Sequence, residues 1–181
     1  MKNALIFLAD GLEEIEAVTQ VDLLRRAGIN VITTSILNTK EVTGSHNIII
    51  MADEIINNVK DILYDIIILP GGQPGTDNLM KNEIVREIII NHNDNNKYIA
   101  SICAAPSILL DLGLLKDKNY TCYPGYEDIA KGKKYKENKV VLDNNIITGK
   151  GVGAAIDFAL NIIKVLCSNE ISESIKEKIV Y

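Results

Sequence analysis

The chain is 181 residues long, 47% hydrophobic and 24% charged, a composition that suits one soluble globular domain with a single substantial core. A net charge of -5 and the absence of tryptophan argue against a basic phosphate-binding stripe and a base-stacking platform, so no nucleic-acid partner is expected. No apolar stretch reaches membrane-spanning length, and the N-terminal apolar run is too short for a signal-peptide core. A cytoplasmic protein without a membrane partner is therefore expected.

Ala4–Leu8 (ALIFL) is a continuous apolar run, the pattern of a strand buried on both faces. In Glu13–Gly28, Ile15, Val18, Val21 and Leu24 recur at helical spacing, and Gly28 supplies a stop. Asn30–Leu37 reads as a second strand, and Glu41–Met51 as a hairpin around Gly44. Tyr64–Gly72 is a buried strand ending in a Gly-Gly turn. Asn82–Asn93 is a helix, and Lys97–Ile102 is a further core strand. Ala104–Gly113 is a helix with Pro106 in its first turn, where proline is tolerated. Two strands flank an Asp143-Asn144-Asn145 turn, and helices over Ala154–Cys167 and Glu170–Val180 close the chain. Strands alternating with helices predict one α/β domain over residues 1–181, a sandwich with a mostly parallel sheet.

Ligands of such sheets bind at the carboxyl ends of the strands. Three segments fall there: ADGLEEIE after the first strand, LPGGQPG before Thr76, and SICAAP around Cys103. Cys103 stands where a strand turns directly into a helix. Free N–H groups at that helix start favour thiolate, so a pKa below the free value is expected. A buried structural cysteine fits the same position. Glu13 and Glu14 suit a solvated helix start, whereas Glu16, between Ile15 and Ala17, suits a carboxyl turned toward the rim. Buried there it would stay protonated and could move a proton to and from substrate. The Gly72 N–H, paired with that of Ala104, would form an oxyanion pocket.

The two histidines lie elsewhere: His92 in a polar helix tail, expected at the solvated surface, and His46 in the hairpin. Neither follows Cys103, so a Cys-His hydrolase is poorly supported. The three cysteines, Cys103, Cys122 and Cys167, form no CxxC pair. No disulfide framework and no metal are expected; Cys122 reads as a packed core thiol and Cys167 as inert.

Four segments, LADGLEEIEAVTQVDLLRRAG, YDIIILPGGQPGTDNL, SICAAPSILLDLGLL and ITGKGVGAAIDFALNII, together resemble the ThiJ/PfpI superfamily in type and order. The nearest branch is that of the Parkinson's-disease-associated deglycase and bacterial ThiJ-like proteins. The resemblance implies a flavodoxin-like three-layer sandwich related to class I glutamine amidotransferases, commonly a homodimer. It implies Cys103 as a nucleophile-elbow cysteine, a protonated Glu16 against its sulfur, and oxyanion contacts at Gly72 and Ala104. It also implies small reactive carbonyls such as methylglyoxal as substrates with no cofactor, or a stress sensor whose cysteine becomes a sulfinate. Ala104 stands where the protease-like branch has histidine, which disfavours a peptidase. Tyr123 stands where the deglycase branch often has histidine, and is the third candidate catalytic residue. His46 replaces an arginine near the dimer contact. The apolar run Ile48–Met51 is expected at a sheet edge in a homodimer interface, with Arg26 and His46 near the partner's rim.

Overall fold

The structure, a computed structural model, describes residues 1–127 and 134–181. A seven-stranded sheet runs through the centre. Its strands are β1 (Asn3–Leu8), β2 (Asn30–Ser35), β5 (Glu54–Ile55), β6 (Ile66–Leu69), β7 (Tyr98–Ile102), β8 (Val140–Asp143) and β9 (Ile146–Gly149). Their order is β5-β2-β1-β6-β7-β9-β8, parallel throughout except for β8 at one edge, which pairs antiparallel with β9.

The apolar runs divide between two cores because side chains alternate along a strand. On one face Ala4, Ile6, Ile68 and Ile102 pack with Leu23 and Leu24 of α1 (Glu14–Arg26), with Phe158 and Ile162 of α6 (Ala155–Leu166) and with Ile175 of α7 (Asn169–Lys178). On the other, Leu5, Phe7, Ile67 and Ile99 pack with Val85, Ile88 and Ile89 of α4 (Glu83–Asp94) and with Ile108 and Leu109 of α5 (Pro106–Asp111). The expected three-layer α/β sandwich is thus present, with a flavodoxin-like parallel sheet. The turn between β8 and β9 is as read, with Asn144 at φ 54°.

Three details differ from the sequence reading. Two short helices, α2 (Ile56–Val59) and α3 (Gly75–Lys81), were not expected. The hairpin, β3 (Glu41–Thr43) and β4 (Ile49–Met51), forms its own two-stranded ribbon rather than an edge of the main sheet. Its tip is tied to the loop after β1: Ser45 N–H donates to Leu12 O, Gly11 N–H to Thr43 O, and Thr43 N–H to Asp10 Oδ1. That docking sets the ribbon over the start of α1.

His92 is the third. It is fully buried, not solvated. It lies four residues after Ile88 on the apolar stripe of α4, while Asn91 on the next face is exposed. Its Nε2 accepts the Tyr64 N–H at 3.0 Å, so the proton is on Nδ1, 2.8 Å from Ile88 O. Burial holds its pKa below the usual imidazole value. A histidine lowered on folding supports the fold while neutral and loses that support as pH falls from the unfolded value through the folded one. Between pH 7 and pH 5 the melting temperature of the wild type should therefore fall relative to that of His92→Gln. Parallel thermal scans of the two proteins across that window check it.

Candidate active site

The carboxyl ends of β1, β6 and β7 meet on one rim, and the three segments picked out above converge there. β7 ends at Ile102, and Cys103 takes φ 64°, a left-handed conformation that costs a non-glycine residue about 1–3 kcal/mol. The turn is pinned on both sides. Cys103 N–H donates to Gly149 O at 2.9 Å, and Cys103 O accepts the Tyr123 N–H at 2.8 Å. The helix beyond is shorter than expected and begins at Pro106, so Ala104 belongs to the turn itself.

Glu16 reaches this thiol from the first turn of α1. It is completely buried. Oε2 accepts the Gly71 N–H at 2.8 Å, Oε1 has no hydrogen-bond partner, and the carboxyl lies beside the Cys103 side chain, both within 3 Å of where a methyl on Gly71 would stand. Burial raises the Glu16 pKa to about 7 against the lowering effect of the Gly71 N–H and the neighbouring Cys103 thiol. The carboxyl therefore titrates near neutrality, the condition under which one group can both give and take a proton.

The same burial acts on the sulfur. Desolvation first, then the charge and close approach of Glu16, push the Cys103 pKa up to about 12, while the Ala104 and Gly72 backbone N–H groups pull it down. The depressed thiol pKa expected from a bare strand-to-helix turn is thus reversed. The neighbouring Ala104 and Gly72 N–H groups favour the thiolate, but burial and an adjacent carboxylate outweigh them. Protonation of Glu16 removes the charge repulsion, so the reactivity of the pair depends on where its proton sits. Cys122, fully buried, is likewise raised to about 12, chiefly by desolvation. Burial also raises Cys167.

The glycine loop after β6 fits closely around these groups. A methyl on Gly71 would lie 2.6 Å from Cys103 Cβ and 2.8 Å from Glu16 Oε2. Gly72 has φ 93°, and a methyl there would lie 2.3 Å from the Glu13 backbone nitrogen. Glu13 N–H donates to Gly71 O at 2.9 Å, closing the loop against the start of α1.

Tyr123 is placed differently from Glu16. Its backbone holds Cys103 O, its side chain is half exposed, and its ring lies over Gly151. Its hydroxyl makes no hydrogen bond among the described residues.

Glu14, expected to be solvated, is buried under the hairpin. It accepts the His46 N–H at 2.7 Å and lies 2.9 Å from His46 Nδ1, with Ser45 Oγ at 3.3 Å. The Glu13 side chain is only 13% exposed and lies 3.7 Å from the same imidazole nitrogen. Burial raises the Glu14 pKa, but hydrogen bonds from the His46 side chain and from the Glu14, His46 and Ile48 backbone together draw it down to about 2; the side-chain contact also raises the pKa of His46. Glu13, Glu14 and His46 bring three potential metal-ligating atoms within 4.8 Å of one another. Their short contacts are accounted for by an ion pair that fastens the hairpin to α1. His46, distant in sequence, is in this way brought to the rim.

Residues 2–165 match the DJ-1/PfpI family. The chain belongs to that family. Along 99% of its length it is 35% identical to the zebrafish (Danio rerio) Parkinson disease protein 7 homolog, covering 97% of that protein. It is 34% identical over 96% of its length to the Caenorhabditis elegans glutathione-independent glyoxalase DJR-1.2, covering 94% of it. The structure of oxidised Toxoplasma gondii DJ-1 superposes with a TM-score of 0.97 at 35% identity, covering 100% of this chain and 99% of that one. Among the described residues of this DJ-1/PfpI chain, no helix is long and apolar enough to cross a membrane.

Proposed function

We propose that the chain is a cofactor-free, Cys103-dependent glyoxalase acting on methylglyoxal and related 2-oxoaldehydes in carbonyl and oxidative stress. The observation that carries this reading is the contact of Glu16, with its pKa near 7, against the Cys103 thiol. Similarity to the C. elegans glyoxalase supports it. The sulfur adds to the aldehyde carbon, forming a C–S bond, while the thiol proton passes to the former carbonyl oxygen to give a hemithioacetal. The Gly72 and Ala104 N–H groups stabilise the developing oxyanion. Glu16 then takes the proton from that carbon and returns it to the adjacent one. The first carbon is oxidised to a thioester as the second is reduced to an alcohol. Water cleaves the thioester, releasing a 2-hydroxy acid and the thiol. No external oxidant or reductant enters. Tyr123 lines the substrate's approach, and with Ala104 after the nucleophile no Cys-His peptidase chemistry is assigned.

Methylglyoxal-to-lactate turnover, measured on wild type and Cys103→Ser side by side, tests the assignment. Lactate should form with the wild type and fall to the background rate in the variant. Equal rates would refute the role of Cys103. A second reading, oxidation of Cys103 to a sulfinate as the functional event, draws on the likeness to a T. gondii protein solved in oxidised form. Sulfinate formation under peroxide, without lactate production, would favour it.

The functional form is proposed to be a homodimer. Ile15 and Val18 on α1 and Ile48, Ile49 and Met51 on the hairpin are all large, apolar and exposed. The Glu14–His46 contact joins the start of α1 to the tip of the hairpin. The proposed interface covers these apolar side chains and leaves Arg26 and His46 near the partner's rim. Sedimentation equilibrium at micromolar concentration should give twice the chain mass, and Met51→Glu should shift it toward the monomer.

A further inference from the structure

Beside the Cys103 elbow lies an open cavity of about 390 Å³ whose walls include Tyr123, Pro124, Val152 and Ala154. Gly151 connects it to the thiol: a methyl on this residue would lie 3.3 Å from the Tyr123 ring and 4.0 Å from Cys103 Sγ. Gly151, a wall of the cavity, thus stands next to the sulfur, and the space beyond it is walled by aromatic and aliphatic carbon. A three-carbon dicarbonyl would leave most of that space to water, since volumes of this size are typical of sites that enclose much larger ligands.

Charge narrows the choice of occupant. Lys139 and Lys150 also line the cavity. Lys139 Nζ is paired with Asp157 Oδ2 at 2.9 Å, and Lys150 Nζ with Glu137 Oε2. Both ammonium groups already have carboxylate partners, and their methylene stems extend the apolar wall. Val152 and Tyr123 remain 38% and 51% exposed, so apolar surface is left uncovered at the mouth of a nucleophile's pocket. A phosphate or carboxylate on the substrate would have to compete with Asp157 and Glu137 for its countercharge, whereas a neutral ring would not.

We infer that this cavity binds a neutral apolar or aromatic substituent on the carbonyl compound that Cys103 attacks, so that aryl- or alkyl-substituted 2-oxoaldehydes are preferred over methylglyoxal. The inference rests on the glyoxalase reading for its substrate class but not for its pocket.

Two measurements separate them. In the first, kcat/KM for phenylglyoxal should exceed that for methylglyoxal by about tenfold or more. Val152→Asn, at a partly exposed position outside the core, should bring the ratio toward one. 4-Carboxyphenylglyoxal should gain nothing over phenylglyoxal. The second needs no turnover: alkylation of Cys103 by 2-chloroacetophenone should outpace that by chloroacetone, after correction for their rates with free cysteine, and Val152→Asn should remove the excess. A ratio near one in the wild type, a ratio insensitive to Val152→Asn, or a clear advantage for the carboxylated analogue would overturn the inference. Selective alkylation without any 2-hydroxy acid product would sustain the pocket and refute the glyoxalase reading. Turnover without selectivity would do the reverse.

Discussion

Glu16→Gln should make the protein more stable and its thiol more reactive while nearly abolishing carbonyl turnover. In the folded state the Glu16 pKa lies at about 7, against an ordinary value of 4.5. A carboxyl raised in this way supports folding only where the folded form holds the extra proton. That contribution is complete below the unfolded value and is lost as pH rises through the folded one. Above pH 7 the native state therefore carries a buried charge that costs up to about 3 kcal/mol relative to the unfolded chain. Glutamine avoids that charge. The variant should unfold at higher denaturant concentration than wild type at pH 8, with the gap closing toward pH 5. Loss of the charge also removes a cause of the high Cys103 pKa, so iodoacetamide labelling at pH 8 should accelerate by about tenfold for each unit the thiol falls. An amide cannot relay a proton, and the loss of general acid–base catalysis should lower kcat by about 10²–10⁴. Denaturant curves, alkylation rates and lactate formation from one preparation test all three. A Glu16→Gln protein that turned over methylglyoxal at the wild-type rate would overturn the assignment of Glu16.

Gly72→Ala should damage both fold and chemistry. Its φ of 93° disfavours any side chain, and the added methyl would meet the Glu13 backbone nitrogen at 2.3 Å. Backbone cannot swing aside as a flexible side chain can. Left-handed strain of about 1–2 kcal/mol and overpacking of about 1–3 kcal/mol together give a loss of about 2–5 kcal/mol. For a chain of this size that lowers the melting temperature by on the order of 10 °C. The loop that moves carries an N–H donor to the sulfur, so the protein that remains folded should also lose turnover. Gly28→Ala supplies the contrast. Its φ is 78°, but a methyl there meets nothing within 4 Å, so only backbone strain should register and activity should be retained.

The sheet and the meeting of Cys103 with Glu16 were legible because both follow from local pattern. Continuous apolar runs mark buried parallel strands, and parallel strands carry their loops to one rim. What escaped depends on contacts distant in sequence or on burial. Glu14 resembles any acidic residue at a helix start until the hairpin tip, some thirty positions later, covers it. The thiol's surroundings could be named from the turn, but not the desolvation that outweighs its N–H donors. Helix α3 was hidden because its first residues, Pro74 at the cap and Gly75, read as turn signals. His92 was a different kind of miss. Its place four residues after Ile88 and seven after Val85 puts it on the buried stripe of the helix, despite the polar residues on either side.

The bond from Cys103 N–H to Gly149 O has a consequence for biosynthesis. The strand that supplies this carbonyl, β9, lies more than forty residues downstream of the cysteine and pairs directly with β7. On the ribosome, where folding proceeds from the N-terminus, β1, β2, β6 and β7 can associate before β9 has been made. During that interval the nascent chain contains the cysteine but lacks the acceptor that fixes its elbow. The elbow is completed late in translation, and a polypeptide arrested before residue 146 would hold the cysteine by the Tyr123 N–H alone, without the Gly149 acceptor.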